Sequence, residues 1–280
     1  MKTIVKELKT FDMCNDYMFK SEFRSIEARR VVARFLNELT GIDIDVIMNA
    51  DFQGGELPKI NEKEKGKICD CIVKISDDKR LIVEMNGNET TYTSKKATSY
   101  AYGVITETTR PNNRYPDILL ICIDNFNQYK TKEDILEFQS RDLKGHIEND
   151  LYKSYHIILE NSVNSEYNEI KKFSKFLKMT NIEEMREFFK GDKDYMDAID
   201  KVEEYTKDPD FIGYYDEAKQ IQRDMNDVKN QGYEQGHEDG IAQGINQRNL
   251  ELAKIFKEKG VDISIISEST GLSISEIEKL

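Results

Sequence analysis

The chain has 280 residues, with 53 acidic against 41 basic side chains, a formal net charge of −12 and a charged fraction of 34 %. That length allows one large domain with an appendage, or two modest domains. The acidic balance argues against a protein that coats nucleic acid non-specifically, but it leaves room for a local basic groove, because backbone binding depends on local charge. The four cysteines (Cys14, Cys69, Cys71 and Cys122) form no C-x-x-C pair, and Cys69 and Cys71 alternate along an apolar strand. They read as buried thiols in a reducing compartment. The three histidines are far apart in sequence, which gives a zinc site little support. The opening residues, MKTIVKELKTFD, lack the apolar stretch of a signal peptide, and no run approaches the roughly 18 apolar residues of a membrane span. A soluble, cytoplasmic protein is expected.

Residues 14–40 read as a helix, with Phe19, Phe23, Val31, Val32, Phe35, Leu36 and Leu39 near helical spacing and Gly41 as its stop. Residues 42–52 read as a strand, followed by a polar loop over 53–66. Residues 67–86, KICDCIVKISDDKRLIVEMN, then read as two apolar strands joined by a tight polar turn. Residues 91–109 form the next helix, closed by the turn Arg110-Pro111-Asn112-Asn113. Asp117–Asp124 (DILLICID) is nearly unbroken apolar, as a central strand covered on both faces should be. Residues 155–159 read as a further strand. Helix, three strands, helix, strand is the resulting order.

Within the hairpin, Asp70 and Glu84 interrupt otherwise apolar runs. A carboxylate among core residues is unfavourable to bury unless something pairs with it, and a bound cation is the usual solution. Side chains alternate along a strand, so Glu84 and Asn86 share one face. A three-residue loop, Ser76 to Asp78, pairs Ile75 with Lys79 and places Asp70 opposite Glu84, about 5 Å apart, close enough to hold one divalent ion. A two-residue turn at Asp77-Asp78 shifts the register by one and puts Asp70 opposite Met85. An odd-numbered loop is therefore expected.

From Ser165 onward the composition turns to acidic amphipathic helices, over about 166–178, 181–190, 193–206 and 211–229. Gly232, Gly236, Gly240 and Gly244 follow at four-residue spacing in GYEQGHEDGIAQG. In a helix they lie on one slowly drifting face at a cost on the order of 1 kcal/mol each relative to Ala, which close approach of a partner helix would justify. A flexible linker is the other reading. Polar residues between the glycines exclude a membrane dimer. Residues 249–280 read as a helix, a short helix, a Gly271 turn and a last short helix with a Ser273–Glu276 capping box. This resembles a small helix-turn-helix, but SISEIEKL holds two glutamates and one lysine, too acidic for a major-groove helix. It suits protein packing better than DNA reading. Three regions result: 1–165 as a core, 166–229 as a helical cap, and 230–280 as a striped helix with a terminal hairpin suited to oligomerisation.

Several stretches together resemble a known family. NDYMFK (15–20), the isolated Asp70, IVEMN ending at Asn86, the 96–100 helix segment and the glycine-striped tail before GLSISEI are similar to the PD-(D/E)XK nucleases. Within them they resemble the Rpn family of recombination-promoting nucleases, often labelled PD-(D/E)XK family transposases. The resemblance covers most of the chain and implies an α/β fold with a restriction-endonuclease-like αβββαβ core and a C-terminal helical extension. It implies a metal-dependent DNA endonuclease in which Asp70 and Glu84 hold one or two Mg²⁺ (or Mn²⁺) ions that activate a water and offset the developing phosphate charge. Asn86 stands where the general fold has a catalytic Lys and where the resembling family commonly shows Gln. A neutral amide can orient water but brings no charge. Lys96, in the place of a basic residue usual in the family, or Lys95, is the substitute cation, and Tyr100 lies one turn further on the same helix face. Asp16 and Lys20 line the same cleft from the first helix. DNA is the implied partner, with a homo-oligomer formed through the C-terminal helix.

Each residue has a plainer reading. Asp70 and Glu84 can be edge-strand acids facing water, and Asn86 can simply end its strand ahead of Gly87. Lys95 and Lys96 can be solvated helix charges. Asp16 can be an early-helix acid favoured by the dipole, with Lys20 its surface partner. A nuclease-like fold kept as a binding or regulatory module, weak or inactive in catalysis and assembling through its C-terminal helices, is the competing function.

Overall fold

In the computed structural model the described residues are 7–57, 67–88, 93–108 and 115–280. The N-terminal helical stretch is two helices, α1 (Asp16–Phe23) and α2 (Arg29–Thr40). Asn15 caps α1 by accepting from the Tyr17 and Met18 amides. The expected single helix breaks between them, where the Ser25 hydroxyl takes the Ala28 amide and starts a new turn. Gly41, at φ +72°, ends α2 in the left-handed conformation that a side chain would resist.

The strand expected over 42–52 is interrupted by a short helix. Asp43 accepts from the Asp45 and Val46 amides and starts α3 (Ile44–Met48). A satisfied N-cap outweighs the weak strand preference of Ile and Val there. The strand β1 (Asp51–Leu57) starts at the end of that stretch and runs on into what reads as loop. β2 (Lys67–Ser76) and β3 (Lys79–Asn86) form the hairpin, and α4 (Thr93–Thr108) crosses to β4 (Asp117–Asp124). The turn expected at 110–113 lies outside the described residues. β5 (Ile135–Gln139) has no counterpart in the sequence reading, and β6 (Tyr152–Ile158) starts earlier than expected.

The sheet order is β1-β2-β3-β4-β6-β5. β3, β4 and β6 are mutually parallel neighbours, and the remaining pairs are antiparallel. On one side, Val73, Leu81, Val83 and Ile121 meet Phe19 of α1, Val32 and Phe35 of α2, and two later helices, α6 (Asn168–Lys178) and α8 (Lys193–Lys207), in the larger core. On the other, Ile72, Ile82, Leu120 and Cys122 meet Ala97, Ala101 and Val104 of α4. β4 is thus buried on both faces, which explains its unbroken apolar run. Arg34 of α2 holds Asp192 and Asp194 at the start of α8 and Glu169 of α6, tying the later helices to the core. Two short helices, α5 (Leu159–Ser162) and α7 (Ile182–Phe188), complete this part.

The chain divides into compact units Met1–Ala218 and Lys219–Leu280. One helix, α9 (Pro209–Glu258), runs for 50 residues and includes the glycine stripe. Pro209 suits its first turn, where no intrahelical amide is needed. In the second unit the end of α9 packs with α10 (Ile263–Thr270) and α11 (Ile274–Glu278) through Ala253, Ile266, Leu272 and Ile277. The Ser273–Glu276 capping box is formed. No helix among the described residues is long and apolar enough to cross a membrane.

Candidate active site

The β2–β3 ladder runs from Ser76↔Lys79 through Lys74↔Arg80 to Cys71↔Val83. The turn is the two-residue Asp77-Asp78, not the odd loop expected from the arithmetic. The register still places Asp70 against Glu84, because a bulge at Ile75 adds the odd residue within the strand. The ladder's pairing stops at Cys71↔Val83, one residue short of the acids. There side chains take over. The Asp70 amide donates to Glu84 Oε1 at 3.1 Å, and the Met85 amide donates to Asp70 Oδ2 at 2.7 Å.

A second irregularity sits on the other edge of β2. Gln53 pairs with Ile72 and Gly55 with Cys69, so Gly54 faces the two residues Asp70 and Cys71. The extra residue switches the side-chain alternation. Cys69 packs on the α4 side and Cys71 in the larger core, rather than on one face as simple alternation requires. All four cysteines are buried and none is disulfide-bonded.

Asp70 and Glu84 are almost fully buried, at 5 % and 2 % exposure. Burial, then the Asp70 charge, pushes the Glu84 carboxyl up to about 9. Burial also raises Asp70, with Lys20 pulling it back. Lys20 Nζ lies 2.8 Å from Asp16 and 3.2 Å from Asp70, so α1 delivers a cation to the first acid. The helical i,i+4 spacing brings Asp16 and Lys20 together. From the opposite side, α4 brings Lys96. Burial lowers this ammonium, but the Tyr100 phenol and the Glu84 carboxylate outweigh that and leave it above its ordinary value. Its Nζ lies 5.4 Å from the Tyr100 ring centre. Lys95 is exposed on the same helix, and among nearby cations Lys96, ahead of Lys20, acts most on Glu84.

Asn86 ends β3, with its Nδ2 donating to Asp124 Oδ1 at 2.7 Å. Asp124 is fully buried, and its other oxygen lies 2.8 Å from His156 Nδ1. Sequence reasoning missed both residues. The only trace is that DILLICID, like IVEMN, ends an apolar run on a polar residue.

Among the described residues no group of three or more His, Cys, Asp and Glu side chains gathers as a metal-binding cluster. Asp70 and Glu84 are nonetheless a suitable pair of hard oxygen donors. A small divalent cation such as Mg²⁺ is typically held by one or two carboxylates and keeps several waters or substrate phosphates as its other ligands. Burial first, and the Asp70 charge second, push Glu84 up, and a bound cation would offset both.

A mixed sheet with helices on both faces, and two acids meeting where a β-hairpin forks, defines an α/β protein of the PD-(D/E)XK nuclease fold. The family model described as PD-(D/E)XK nuclease family transposase matches residues 13–232, and the chain belongs to that family. It is thereby related to nucleases linked to mobile elements. Searches of curated proteins and of solved structures find no match.

Proposed function

We propose that the chain is a metal-dependent DNA endonuclease, hydrolysing phosphodiester bonds in recombination or mobile-element activity, with Mg²⁺ or Mn²⁺ held by Asp70 and Glu84. The observation that carries this reading is the meeting of two buried acids at the end of the β2–β3 ladder, where the Asp70 amide donates to Glu84 and the Met85 amide to Asp70. When bound, the cation would activate a water and offset the charge developing on the phosphate. Lys96, whose ammonium and the Glu84 carboxyl act on each other electrostatically, would supply to a phosphate oxygen the positive charge that Asn86 lacks. Tyr100 limits where that ammonium can swing. Lys20, braced by Asp16, sets the Asp70 carboxylate, and Lys95 offers an exposed contact to the DNA backbone. Buried thiols without disulfides suit a reducing cytoplasm. A second copy of the chain, meeting the glycine stripe of α9, is the proposed oligomeric partner.

The test is cleavage of supercoiled and linear DNA with Mg²⁺ or Mn²⁺ by wild type, Asp70→Ala, Glu84→Ala and Lys96→Met. Loss in both acid variants is expected, with Lys96→Met about 10²- to 10³-fold slower at unchanged Tm, the usual loss when one electrostatic stabiliser is removed. Cleavage that survives either acid substitution overturns the assignment.

One observation favours the second reading, a binding or regulatory module with the nuclease fold. Lys20 already sits against Asp70 and can neutralise it without a metal. Calorimetric titration with Mn²⁺ separates the two. The enzyme binds it through Asp70 and Glu84, whereas the module does not.

A further inference from the structure

The buried pair Asp124 and His156 lies beside the site without belonging to the metal-binding acids. β3 and β4 run in parallel register, Glu84 against Cys122 and Asn86 against Asp124. β6 continues the layer, with Cys122 against His156. Three neighbouring strands thus give one hydrogen-bonded line: Asn86 Nδ2 to Asp124 Oδ1 at 2.7 Å, and Asp124 Oδ2 to His156 Nδ1 at 2.8 Å. Gln128 Nε2 stands 3.5 Å from the same Oδ2. The His156 ring meets Tyr129 and Phe138 edge-to-face, at 79° and 89°, so it has little room to turn. Asp124 is fully buried and His156 nearly so.

We propose that Asp124, held by His156, is a positioning residue that fixes the Asn86 side chain with its carbonyl oxygen Oδ1, not its amide, turned to the reacting water. The inference rests on the nuclease reading above. Asn86 donates through Nδ2 to Asp124 Oδ1, so the group it turns toward Asp124 is the NH₂. In a planar amide the oxygen then points elsewhere. Asn86 and Glu84 share one face of β3, about 7 Å apart along the strand. Oδ1 there accepts a hydrogen bond from water and aims the water's lone pair, whereas a lysine ammonium at this position can only donate. Asn86 is therefore not a weakened lysine: it works with the opposite polarity, and Lys96 carries the charge separately.

The test is a double-mutant cycle on the full chain: Mn²⁺-dependent plasmid cleavage by wild type, Asn86→Ala, Asp124→Asn and the double variant. Asp124→Asn keeps shape but adds an amide that competes with Asn86 and His156 as a donor. Its kcat should fall about 10- to 100-fold, as is typical for outer partners of such sites, with KM for DNA unchanged. The double variant should be no slower than the slower single one. As a second readout, the Asn86 side-chain amide resonances, assigned by their absence in Asn86→Ala, should move in Asp124→Asn. A wild type that cuts while Asp124→Asn cuts equally well, or two losses that simply add, overturns the positioning role and leaves the nuclease reading standing. A wild type that cuts with neither metal overturns the nuclease reading itself. The amide spectrum then judges the clamp alone, and an unmoved Asn86 resonance refutes it.

Discussion

Replacing Glu84 by Gln should change how the stability of the metal-free protein depends on pH, and the sign follows from the burial of the acid pair. Burial, reinforced by the Asp70 charge, pushes the Glu84 carboxyl from an ordinary 4.5 up to about 9. Between those values the folded chain keeps a proton on Glu84 that the unfolded chain has released. Unfolding therefore sheds a proton, and stability falls as pH rises, by about 1.4 kcal/mol per pH unit for one group. The contribution is fully present below about pH 4.5 and lost by about pH 9. From about pH 5 to pH 7 the loss is roughly 3 kcal/mol, or on the order of 10 °C in Tm for a unit of this size. Gln does not titrate, so urea unfolding of wild type and Glu84→Gln in EDTA, stepped across this range, isolates the effect. Wild type should lose stability relative to the variant at each step. Mg²⁺ competes with that proton, so its stabilisation of wild type should grow with pH and be absent in the variant. Parallel curves for the two proteins, with or without Mg²⁺, would refute the idea that Glu84 is a strained partner awaiting a cation.

Two further outcomes test other parts of the structure. Glu22 of α1 is buried with both carboxyl oxygens unpartnered among the described residues, beside an apolar cavity of about 10 Å³ lined by Met13, Phe19 and Phe176 among others. Glu22→Met should raise the unfolding free energy by about 1–3 kcal/mol in urea titrations at neutral pH, and a decrease would mean the acid has a partner there. At each of the four striped glycines of α9, a methyl group added to the Cα would meet nothing within 4 Å, so no described neighbour in the protomer requires them. Gly236→Ala with Gly240→Ala should weaken self-association in sedimentation equilibrium. If the helix stands alone, the mass is unchanged and the helix gains about 1 kcal/mol per substitution, which would dismiss the oligomer.

How much of this was legible in the sequence depends on the kind of constraint. Asp70 and Glu84 stood out because an acid inside an apolar strand is improbable without a reason, and the period of two set which residues share their face. Their pairing was expected correctly from a loop that does not exist. A three-residue loop, and a two-residue turn with one bulged residue, give the same parity, so the arithmetic reaches the register without distinguishing the turn. Simple alternation failed at Cys69 and Cys71 for a related reason. The Asp70 bulge is visible only once β1 is paired to β2. Asp43 shows the opposite weakness: one side-chain cap decided α3 against strand-forming neighbours, and capping is hard to weigh without the backbone.

The Asp124 clamp was hidden at a deeper level. Antiparallel neighbours joined by a tight turn carry their register in the sequence between them. The parallel neighbours β3 and β4 are joined through α4, and nothing in a crossover fixes which residue of one strand meets which of the other. Asn86 could be picked out as a departure from the lysine of the motif, but its partner could not, and without the partner the natural comparison was lysine against a weaker substitute. The Asn86↔Asp124 register changes that comparison. A lysine at position 86 would face the buried Asp124 carboxylate and be drawn to it, away from the phosphate. An asparagine spends its amide on that carboxylate and still has an acceptor left for water. The residue at 86 and the residue at 124 are therefore one choice, and in the proposed nuclease the positive charge comes instead from Lys96 of α4, whose ammonium acts on Glu84.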